Sequence, residues 1–332
     1  MKRLAIIGAG SWGTALARAL GPRFPEIRLW VYERDLAERL ANTRINDVYL
    51  PGLEIPPHVA PTHNLATALE GADIVLSVVP SHLVRNLYEQ MAEFLNERMI
   101  FVSATKGLEN ITLLRMSEVI RQVIETRFAP RIAVISGPTF AREVACFEPT
   151  ALVAASAEEG LAQTVQAAFS GPALRVYTST DLIGVEVGGS IKNVVAIGSG
   201  VLHGLGIGHN SAAALITRGL AEMTRLAVAM GGKPQTLAGL AGLGDLVLTC
   251  TGELSRNRTV GIELAHGRKL DEIVNSMKMV AEGIKTTNAA VDLTSRYGVE
   301  LPICEQMYQM LHFGIPPREA IQRLMERSLK GE

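Results

Sequence analysis

Short apolar runs alternate with longer amphipathic stretches over the first half of the chain. Seven runs predict buried strands, at residues 3–8, 27–32, 73–79, 99–104, 131–136, 150–156 and 174–179. Amphipathic stretches such as 83–95 and 112–126 lie between most of them and predict helices. Near-continuous apolar strands separated by helices are typical of a parallel sheet with both faces covered. We therefore expect an α/β domain with a mostly parallel sheet.

The strand pattern nearly vanishes after Asp181, and residues 181–332 predict a predominantly helical region. Single hydrophobic cores rarely grow beyond about 250 to 300 residues, so a chain of 332 residues is expected to form two domains. We place the boundary near residue 180. An α/β domain over 1–180 would then be followed by an all-α domain over 181–332.

The composition narrows the class of protein. The chain is 48% hydrophobic and 20% charged, and its formal net charge of -1 gives no indication of a nucleic-acid surface. Cys146, Cys250 and Cys304 are widely spaced, which argues against a disulfide framework and a zinc site and fits a reducing compartment. No uninterrupted apolar run is long enough to span a bilayer. A cytoplasmic protein without a membrane span or a metal is expected.

The segment IIGAGSWGTALA (6–17) carries Gly8, Gly10 and Gly13 in the G-x-G-x-x-G spacing. It follows the first strand and opens a helix, which is the context that a dinucleotide phosphate loop requires. There the first glycine permits a tight turn, the second lets the backbone approach a pyrophosphate, and the third lets helix pack on strand. Trp12, inside the loop, could equally pack or contact a cofactor.

Two signals for the cofactor ribose point in opposite directions. Glu33, just after the second strand, favours NAD by accepting hydrogen bonds from the ribose hydroxyls. Arg34 follows at once and suits the 2′-phosphate of NADP. The sequence therefore predicts a nicotinamide dinucleotide, NAD or NADP, without choosing between them.

Lys192 lies in an apolar, glycine-rich segment (184–200) that is predicted to be helical, with Asp181 among its possible N-caps. Its helical neighbours, which include Gly188 and Gly189, carry no charge. Each glycine inside a helix costs about 1 kcal/mol relative to alanine, so something must approach the helix closely here. Lys192 is therefore a candidate for chemistry. The alternative is an ammonium that reaches water while its stem covers apolar surface.

Ligands of open α/β sheets bind outside the carboxyl ends of the strands. Those ends comprise residues 79–82, 104–109 and 136–141. Lys106 lies in the second segment, and Gly137 and Thr139 lie in the third. We expect Lys106 to bind a ligand, the alternative being an exposed surface lysine.

The helical half contributes the segment AGLGDLVLTCTGELSRNR (241–258). Asp245 lies in an apolar setting where an unpaired carboxylate would be costly, and Lys192 would serve as its cationic partner. Ser255, Arg256 and Asn257 form a compact cluster of donors suited to an anion, phosphate in particular. The alternative for this cluster is a solvated polar turn.

In chain order, these motifs resemble one enzyme family. The motifs are GAGSWGTALA, VPSH, ATKGLE, SGPTFA, GGSIKNVVAIG, LITRGLAEM, GLGDLVLTCT, SRNR and VAEGIKT. Together they resemble bacterial NAD(P)-dependent glycerol-3-phosphate dehydrogenase over essentially the whole chain. The resemblance implies a Rossmann-type amino-terminal domain, a helical carboxyl-terminal domain and a homodimer. It further implies interconversion of dihydroxyacetone phosphate and sn-glycerol 3-phosphate, which supplies phospholipid synthesis.

The resemblance also implies a role for each matched position, with Lys192 as the catalytic acid/base. The substrate contacts would be Lys106, Gly137, Thr139, Lys192, Asp245, Ser255, Arg256 and Asn257. The cofactor contacts that it implies would be Ser11, Trp12, Lys106, Ala141, Val280 and Glu282, with Arg256 also near the cofactor. The motif and position after the second strand add Gly8, Gly10, Gly13 and Arg34 as cofactor candidates. Family members often carry a basic residue where this chain has Tyr32, which leaves the cofactor preference open.

The residues also suggest how such a reaction would proceed. Burial lowers the pKa of a lysine towards neutrality, so Lys192 could both give and take a proton. Asp245 would oppose that shift if it paired too closely, so we expect it to orient the amine. Two alternatives remain open at this point. One is a lysine-dependent 3-hydroxy acid dehydrogenase, and the other is a dinucleotide-sensing binding protein without turnover.

Overall fold

The computed structural model describes residues 1–277, 280–329 and 331. Its amino-terminal part contains the strands β1 (Arg3–Ile7), β2 (Glu26–Trp30), β3 (Val59–Thr62), β4 (Ile74–Ser77), β5 (Ile100–Ser103), β6 (Arg131–Ser136), β7 (Thr150–Ala155) and β8 (Leu174–Ser179). They form one sheet in the order β3-β2-β1-β4-β5-β6-β7-β8. Among these strand pairs only β6–β7 is antiparallel. The predicted mostly parallel sheet and its seven predicted strands are confirmed.

The eighth strand, β3, was not predicted from the apolar pattern. Its sequence VAPT is short and includes Pro61, which lacks the N–H that a central strand donates. The structure places β3 at the edge of the sheet, paired with β2 alone, where Leu29 lies opposite Pro61. A proline is tolerated at this edge because only one side of the strand is paired.

Seven helices accompany the strands: α1 (Ser11–Ala19), α2 (Arg34–Thr43), α3 (Leu65–Leu69), α4 (Val84–Met91), α5 (Met116–Ile124), α6 (Ala141–Ala145) and α7 (Leu161–Phe169). Alternate side chains of β1 enter two different cores. Leu4 and Ile6 pack in a core that includes residues of α1, α2 and α7. Ala5 and Ile7 pack in a second core with residues of α3, α4 and α5. The sheet is therefore covered on both faces.

The rest of the described chain is helical. Its helices are α8 (Leu182–Gly204), α9 (His209–Ala229), α10 (Pro234–Leu237), α11 (Asp245–Thr251), α12 (Arg256–Ala265), α13 (Leu270–Ser276), α14 (Glu282–Tyr297), α15 (Pro302–Phe313) and α16 (Pro317–Met325). A π-helical turn over Leu240–Gly244 leads into α11. This arrangement confirms the predicted fold class, an α/β part followed by an all-α part.

Helix α8 is the centre of the helical part. Asp181 caps it by accepting a hydrogen bond from the Gly184 N–H at 2.9 Å. By length and composition α8 could cross a bilayer, with a mean hydropathy of 1.2, but 89% of its most apolar window is buried inside the protein. Helices α9, α11, α12 and α14 pack around it. Its apolar sequence is therefore accounted for by its position in the core.

The strand register brings four loops to one edge of the sheet. Ile7 of β1 lies opposite both Trp30 of β2 and Ser77 of β4, and Ser77 lies opposite Ser103 of β5. The loops that follow β1, β4, β5 and β6 are therefore neighbours. Helix α8 also packs against β6, so this edge faces the helical part across a crevice.

A buried ion pair fastens α8 to the sheet side of this crevice. The Glu186 carboxylate, on α8, lies 2.7 Å from Arg115 Nη1 and accepts hydrogen bonds from the Ser117 N–H and hydroxyl at 2.8 and 2.6 Å. Arg115 and Ser117 lie at the start of α5, where the positive end of the helix dipole also favours a carboxylate. The position of α8 is thereby tied to the chain that follows β5.

Candidate active site

The glycine loop has the geometry that its spacing predicts. Gly8 has φ +117°, and a Cβ there would lie 2.5 Å from the Val78 carbonyl oxygen. A Cβ on Gly13 would lie 1.8 Å from the Gly8 carbonyl oxygen, so only glycine allows α1 to pack this closely. A Cβ on Gly10, in contrast, would meet no atom of the described residues within 4 Å. The open face of the loop is therefore at Gly10, where a phosphate could approach the backbone at the start of α1.

Ser11 and Trp12 form the first turn of α1 behind Gly10. The Trp12 ring packs on the small core of Ala15, Leu50 and Ala145. Its indole N–H is buried and has no hydrogen-bond partner among the described residues. Trp12 therefore packs against the core, and its buried N–H is unpaired within the described ranges.

The two residues that carry opposite cofactor signals have different surroundings. Glu33 accepts a hydrogen bond from the Tyr49 hydroxyl at 2.6 Å. Arg34 pairs with Glu38 one turn along α2 at 3.2 Å, and its side chain is 80% exposed. Glu33 is thus held in place, whereas Arg34 lies in solvent with a pairing of the kind that contributes little free energy.

Lys192, Asp245 and Lys106 meet in the crevice. The Lys192 Nζ lies 2.7 Å from Asp245 Oδ1, and the Lys106 Nζ lies 2.8 Å from Asp245 Oδ2. One carboxylate thus joins an amine on α8 to an amine at the carboxyl end of β5. The expected pairing of Asp245 with Lys192 is present, and its second partner, Lys106, was not predicted.

The amine of Lys192 does not reach bulk water, which excludes the alternative that the sequence left open for it. Lys192 is 5% exposed and Asp245 is 1% exposed. Burial lowers the pKa of Lys192 to about 8, Asp245 opposes that change, and the nearby Lys106 ammonium adds to it. Asp245 therefore pairs closely without cancelling the effect of burial. An amine with this pKa can both give and take a proton near neutral pH.

The glycines that precede Lys192 are approached by protein. A Cβ on Gly188 would lie 2.5 Å from the Ala241 carbonyl oxygen, and a Cβ on Gly189 would lie 2.7 Å from the Ser136 hydroxyl. The prediction of a close approach is therefore confirmed. These contacts bring the end of β6 and the π-helical turn before Asp245 up to the helix that carries Lys192.

Gly137 and Thr139 lie at the end of β6 beside Lys106. The Lys106 Nζ donates to the Gly137 carbonyl at 2.8 Å and to the Thr139 hydroxyl at 3.2 Å. Ala141 begins α6 two residues later. Since Asp245 takes a third interaction, the Lys106 ammonium is firmly oriented at the crevice rather than exposed on the surface.

The side chains of Ser255, Arg256 and Asn257 do not converge on one anion site. The Ser255 hydroxyl caps α12 by accepting from the Arg258 N–H at 3.3 Å. The Asn257 side chain donates to Asn193 and accepts from the Gly283 N–H, each at 2.9 Å. The Arg256 guanidinium donates to the Val280 carbonyl at 3.1 Å. Within the described ranges Arg256 thus keeps most of its donors for an anion, whereas Ser255 and Asn257 already bond to protein.

Glu282 connects the helical part to the loop after β4. It begins α14, and its carboxylate accepts hydrogen bonds from the Ser81 N–H at 3.2 Å and the Ser81 hydroxyl at 2.8 Å. Val280, two residues before it, is 40% exposed. Both predicted cofactor positions therefore lie on the helical side of the crevice, opposite the sheet edge.

Two residues next to Lys192 and Asp245 were not singled out from the sequence. Thr249 accepts a hydrogen bond from the Lys192 Nζ at 2.6 Å and donates to the Asp245 carbonyl at 2.6 Å. Its position four residues after Asp245, on the same helical face, was the available signal. Asn193 follows Lys192 directly and bonds to Asn257.

The fold and the crevice define a dinucleotide-dependent oxidoreductase, with a glycine loop at the end of β1 and a buried amine that is linked through Asp245 to Lys106 at the end of β5. No group of three His, Cys, Asp or Glu side chains within the described ranges could hold a metal ion.

Comparisons with known proteins give the particular family. The family model for the NAD-dependent glycerol-3-phosphate dehydrogenase N-terminus matches residues 3–162, and the model for its C-terminus matches residues 181–322. The chain belongs to the NAD-dependent glycerol-3-phosphate dehydrogenase family, as its motifs indicated.

Individual relatives are similar to this chain over nearly its full length. The chain is 58% identical over 329 residues to a glycerol-3-phosphate dehydrogenase [NAD(P)+] of Koribacter versatilis, covering 98% of each chain. It is 50% identical to the enzyme of the same name from Geobacter sulfurreducens, covering 100% of this chain and 99% of the other. A crystal structure of glycerol-3-phosphate dehydrogenase from Coxiella burnetii superposes with a TM-score of 0.94 at 39% identity, covering 98% and 99% of the two chains. These similarities favour this family over the hydroxy acid dehydrogenase and the binding protein.

Proposed function

We propose that this protein interconverts dihydroxyacetone phosphate and sn-glycerol 3-phosphate with NAD(P), as the names of its relatives suggest. The observation that carries the proposal is the buried Lys192 amine, paired with an Asp245 carboxylate that also binds Lys106 at the carboxyl end of β5. The product of reduction would supply glycerol 3-phosphate for phospholipid synthesis.

The residues present fit a nicotinamide dinucleotide. The open face at Gly10 would receive the pyrophosphate, and Gly8 and Gly13 leave no room for larger side chains around it. Ser11 and Trp12 on this side of the crevice and Val280 and Glu282 on the other would contact the cofactor. When bound, the nicotinamide supplies the hydride that reduces the ketone carbon.

Lys192 would act as the acid/base. In the direction of reduction its ammonium would donate a proton to the substrate oxygen, and in the direction of oxidation its neutral amine would remove that proton. Asp245 and Thr249 accept hydrogen bonds from the same amine at 2.7 and 2.6 Å. They would hold the Lys192 Nζ in one orientation, with its remaining position directed at substrate.

The substrate would be held from both sides of the crevice. Lys106, with Gly137 and Thr139, would contact it from the sheet edge, and Arg256 would bind the phosphate from the helical side. Ser255 and Asn257 bond to protein in this structure, so their contribution would be to fix the start of α12 and thereby Arg256.

We also propose the organisation in which this site operates. The dinucleotide would bind to residues 1–180, and residues 181–332 would supply the proton donor and the phosphate grip. The protein would act as a homodimer in the cytoplasm, as the family resemblance suggests.

The experiment that tests this function is the loss of reduced-nicotinamide absorbance with purified protein and dihydroxyacetone phosphate. NADH and NADPH are supplied in parallel, and a reaction without substrate is the control. Oxidation of either cofactor that depends on the ketone supports the proposal. No oxidation with either cofactor, in a protein that is folded by circular dichroism, contradicts it.

A further inference from the structure

The carboxylate at the end of β2 is held by a residue from another segment. The Tyr49 hydroxyl donates to Glu33 Oε1 at 2.6 Å. This bond, together with burial, raises the pKa of Tyr49 to about 12, so the tyrosine stays a donor at any physiological pH. One oxygen of Glu33 is therefore fixed, and the other is left to accept a hydrogen bond from a ligand.

The segment that carries Tyr49 is itself anchored to the glycine loop. The fully buried Asn46 side chain donates to the Ala9 carbonyl and to the Thr14 hydroxyl, both at 2.8 Å. The Asn46 side-chain oxygen accepts from the Tyr49 N–H at 2.9 Å. A continuous chain of hydrogen bonds thus runs from the glycine loop through Asn46 and Tyr49 to Glu33. It ties Glu33 to the phosphate loop in addition to the direct pairing of β1 with β2.

The neighbouring cation lacks such support. Arg34 lies on the exposed side of α2, and its bond to Glu38 joins two side chains that are 80% and 66% exposed. An exposed pair of this kind holds neither partner in a fixed geometry. The charged group that the protein holds in place at the end of β2 is therefore the Glu33 carboxylate and not the Arg34 guanidinium.

We propose that Tyr49 positions Glu33 to accept a hydrogen bond from the ribose 2′-hydroxyl of NADH, and that this pair makes NADH the preferred cofactor over NADPH. The inference rests on the proposed function only for the identity of the cofactor as a nicotinamide dinucleotide. A carboxylate accepts from a hydroxyl, whereas it repels the 2′-phosphate of NADPH. Tyr49 acts through Glu33 and need not touch the cofactor.

Binding of NADH and of NADPH, measured separately by isothermal titration calorimetry without substrate, tests the proposal. The wild-type protein should bind NADH at least about tenfold more tightly than NADPH. Tyr49→Phe should raise the Kd for NADH about tenfold, because it releases a charge-assisted hydrogen bond, and should change the Kd for NADPH much less. Glu33→Gln should weaken NADH binding and strengthen NADPH binding. The Kd values of Glu33→Gln therefore test the role of the carboxylate even if the Tyr49→Phe variant does not fold.

One further variant serves as a control, and another tests the competing signal of Arg34. Tyr177→Phe removes the same hydroxyl from an exposed tyrosine on β8, at the opposite edge of the sheet, and should leave both constants unchanged. Arg34→Gln removes the cation that suits a 2′-phosphate and, on this proposal, should not abolish the preference for NADH. A wild-type protein that prefers NADPH, with the preference lost in Arg34→Gln, would overturn the proposal. So would a Tyr49→Phe variant that binds both cofactors as the wild type does, or that weakens both equally.

The same variants separate this inference from the proposed reaction. Turnover of dihydroxyacetone phosphate with Tyr49→Phe should show a raised KM for NADH and an unchanged kcat, since the hydroxyl bonds to Glu33 and not to Lys192. A protein that prefers NADH in calorimetry yet turns over no dihydroxyacetone phosphate would contradict the reaction and leave the cofactor inference standing.

Discussion

The Lys192 Nζ lies 2.7 Å from Asp245 Oδ1, and the pKa of the lysine is nevertheless lowered to about 8. Two effects explain how an ion pair and a lowered pKa coexist. Burial is the larger influence, and Asp245 divides its charge between Lys192 and Lys106. The carboxylate therefore orients the amine without fixing it in the protonated form.

Replacement of Lys192 by alanine should abolish most of the catalysis. We expect kcat to fall on the order of a hundredfold or more, since general acid–base groups contribute this much, while NADH binding is retained. Lys192→Arg should also fail, because a guanidinium hardly deprotonates. Steady-state kinetics and calorimetry measure the two effects, with replacement of the exposed Lys269 by alanine as control. Near-normal turnover by Lys192→Ala would refute the assignment.

Replacement of Asp245 by asparagine should change the pH dependence of catalysis. The carboxylate raises the pKa of Lys192 and Lys106 lowers it, so loss of the charge leaves the effects of burial and of Lys106, which both lower it. The pH at which reduction of dihydroxyacetone phosphate declines should therefore move to lower values than in the wild type. An unchanged profile in a folded Asp245→Asn variant would show that the pair does not govern the amine.

Replacement of Arg256 should weaken binding of the substrate phosphate more than it affects reduction of the ketone. We expect Arg256→Ala to raise KM for dihydroxyacetone phosphate by about tenfold to a hundredfold, the contribution of charge-assisted hydrogen bonds. The activity with unphosphorylated dihydroxyacetone should change little. Arg323→Ala, which removes an exposed arginine of α16, is the matched control. Equal damage with both ketones would argue against a phosphate grip.

A buried carboxylate outside the site should make stability depend on pH. Glu222 is 3% exposed and accepts from the Ile303 N–H at 2.7 Å and the Cys304 N–H at 3.3 Å, and burial raises its pKa to about 7. The folded state therefore holds a proton that the unfolded state releases above its ordinary pKa of 4.5. This contribution is complete below that value and is lost as pH rises through about 7.

Urea unfolding of the wild type between pH 5 and pH 8 measures the effect. The contribution of Glu222 to the free energy of unfolding should fall by about 3 kcal/mol across its titration. Glu222→Gln, which does not titrate, should show a correspondingly shallower dependence. Identical slopes for the two proteins would mean that Glu222 keeps an ordinary pKa.

The fold could be predicted from the sequence wherever apolar residues recur periodically or where a position accepts only glycine. The glycine loop could be recognised because Gly8 and Gly13 allow no side chain, and that constraint is visible in the residue type. The strand β3 and the antiparallel direction of β7 were missed. A short edge strand with Pro61 has no apolar periodicity, and a buried strand has the same composition in either direction.

The site was predictable as a set of residues but not as a set of bonds. Lys106 and Asp245 were both candidates, yet their mutual contact joins positions 139 residues apart and depends on how α11 meets the sheet edge. Asn257 was expected to bind substrate because amide donors suit phosphate. The structure uses that amide to bridge Asn193 and Gly283, a choice that only tertiary packing decides.

The most direct test of Lys192 as the acid/base is the pH dependence of kcat in both directions. Reduction of dihydroxyacetone phosphate needs the ammonium, so its kcat should fall as pH rises through about 8. Oxidation of sn-glycerol 3-phosphate needs the neutral amine, so its kcat should rise through the same value. The predicted result is a pair of kcat–pH profiles with opposite slopes, both with a midpoint near pH 8. The assignment of Lys192 would be contradicted if the two kcat–pH profiles changed in the same direction. It would also be contradicted if the same pH dependence persisted in Lys192→Ala.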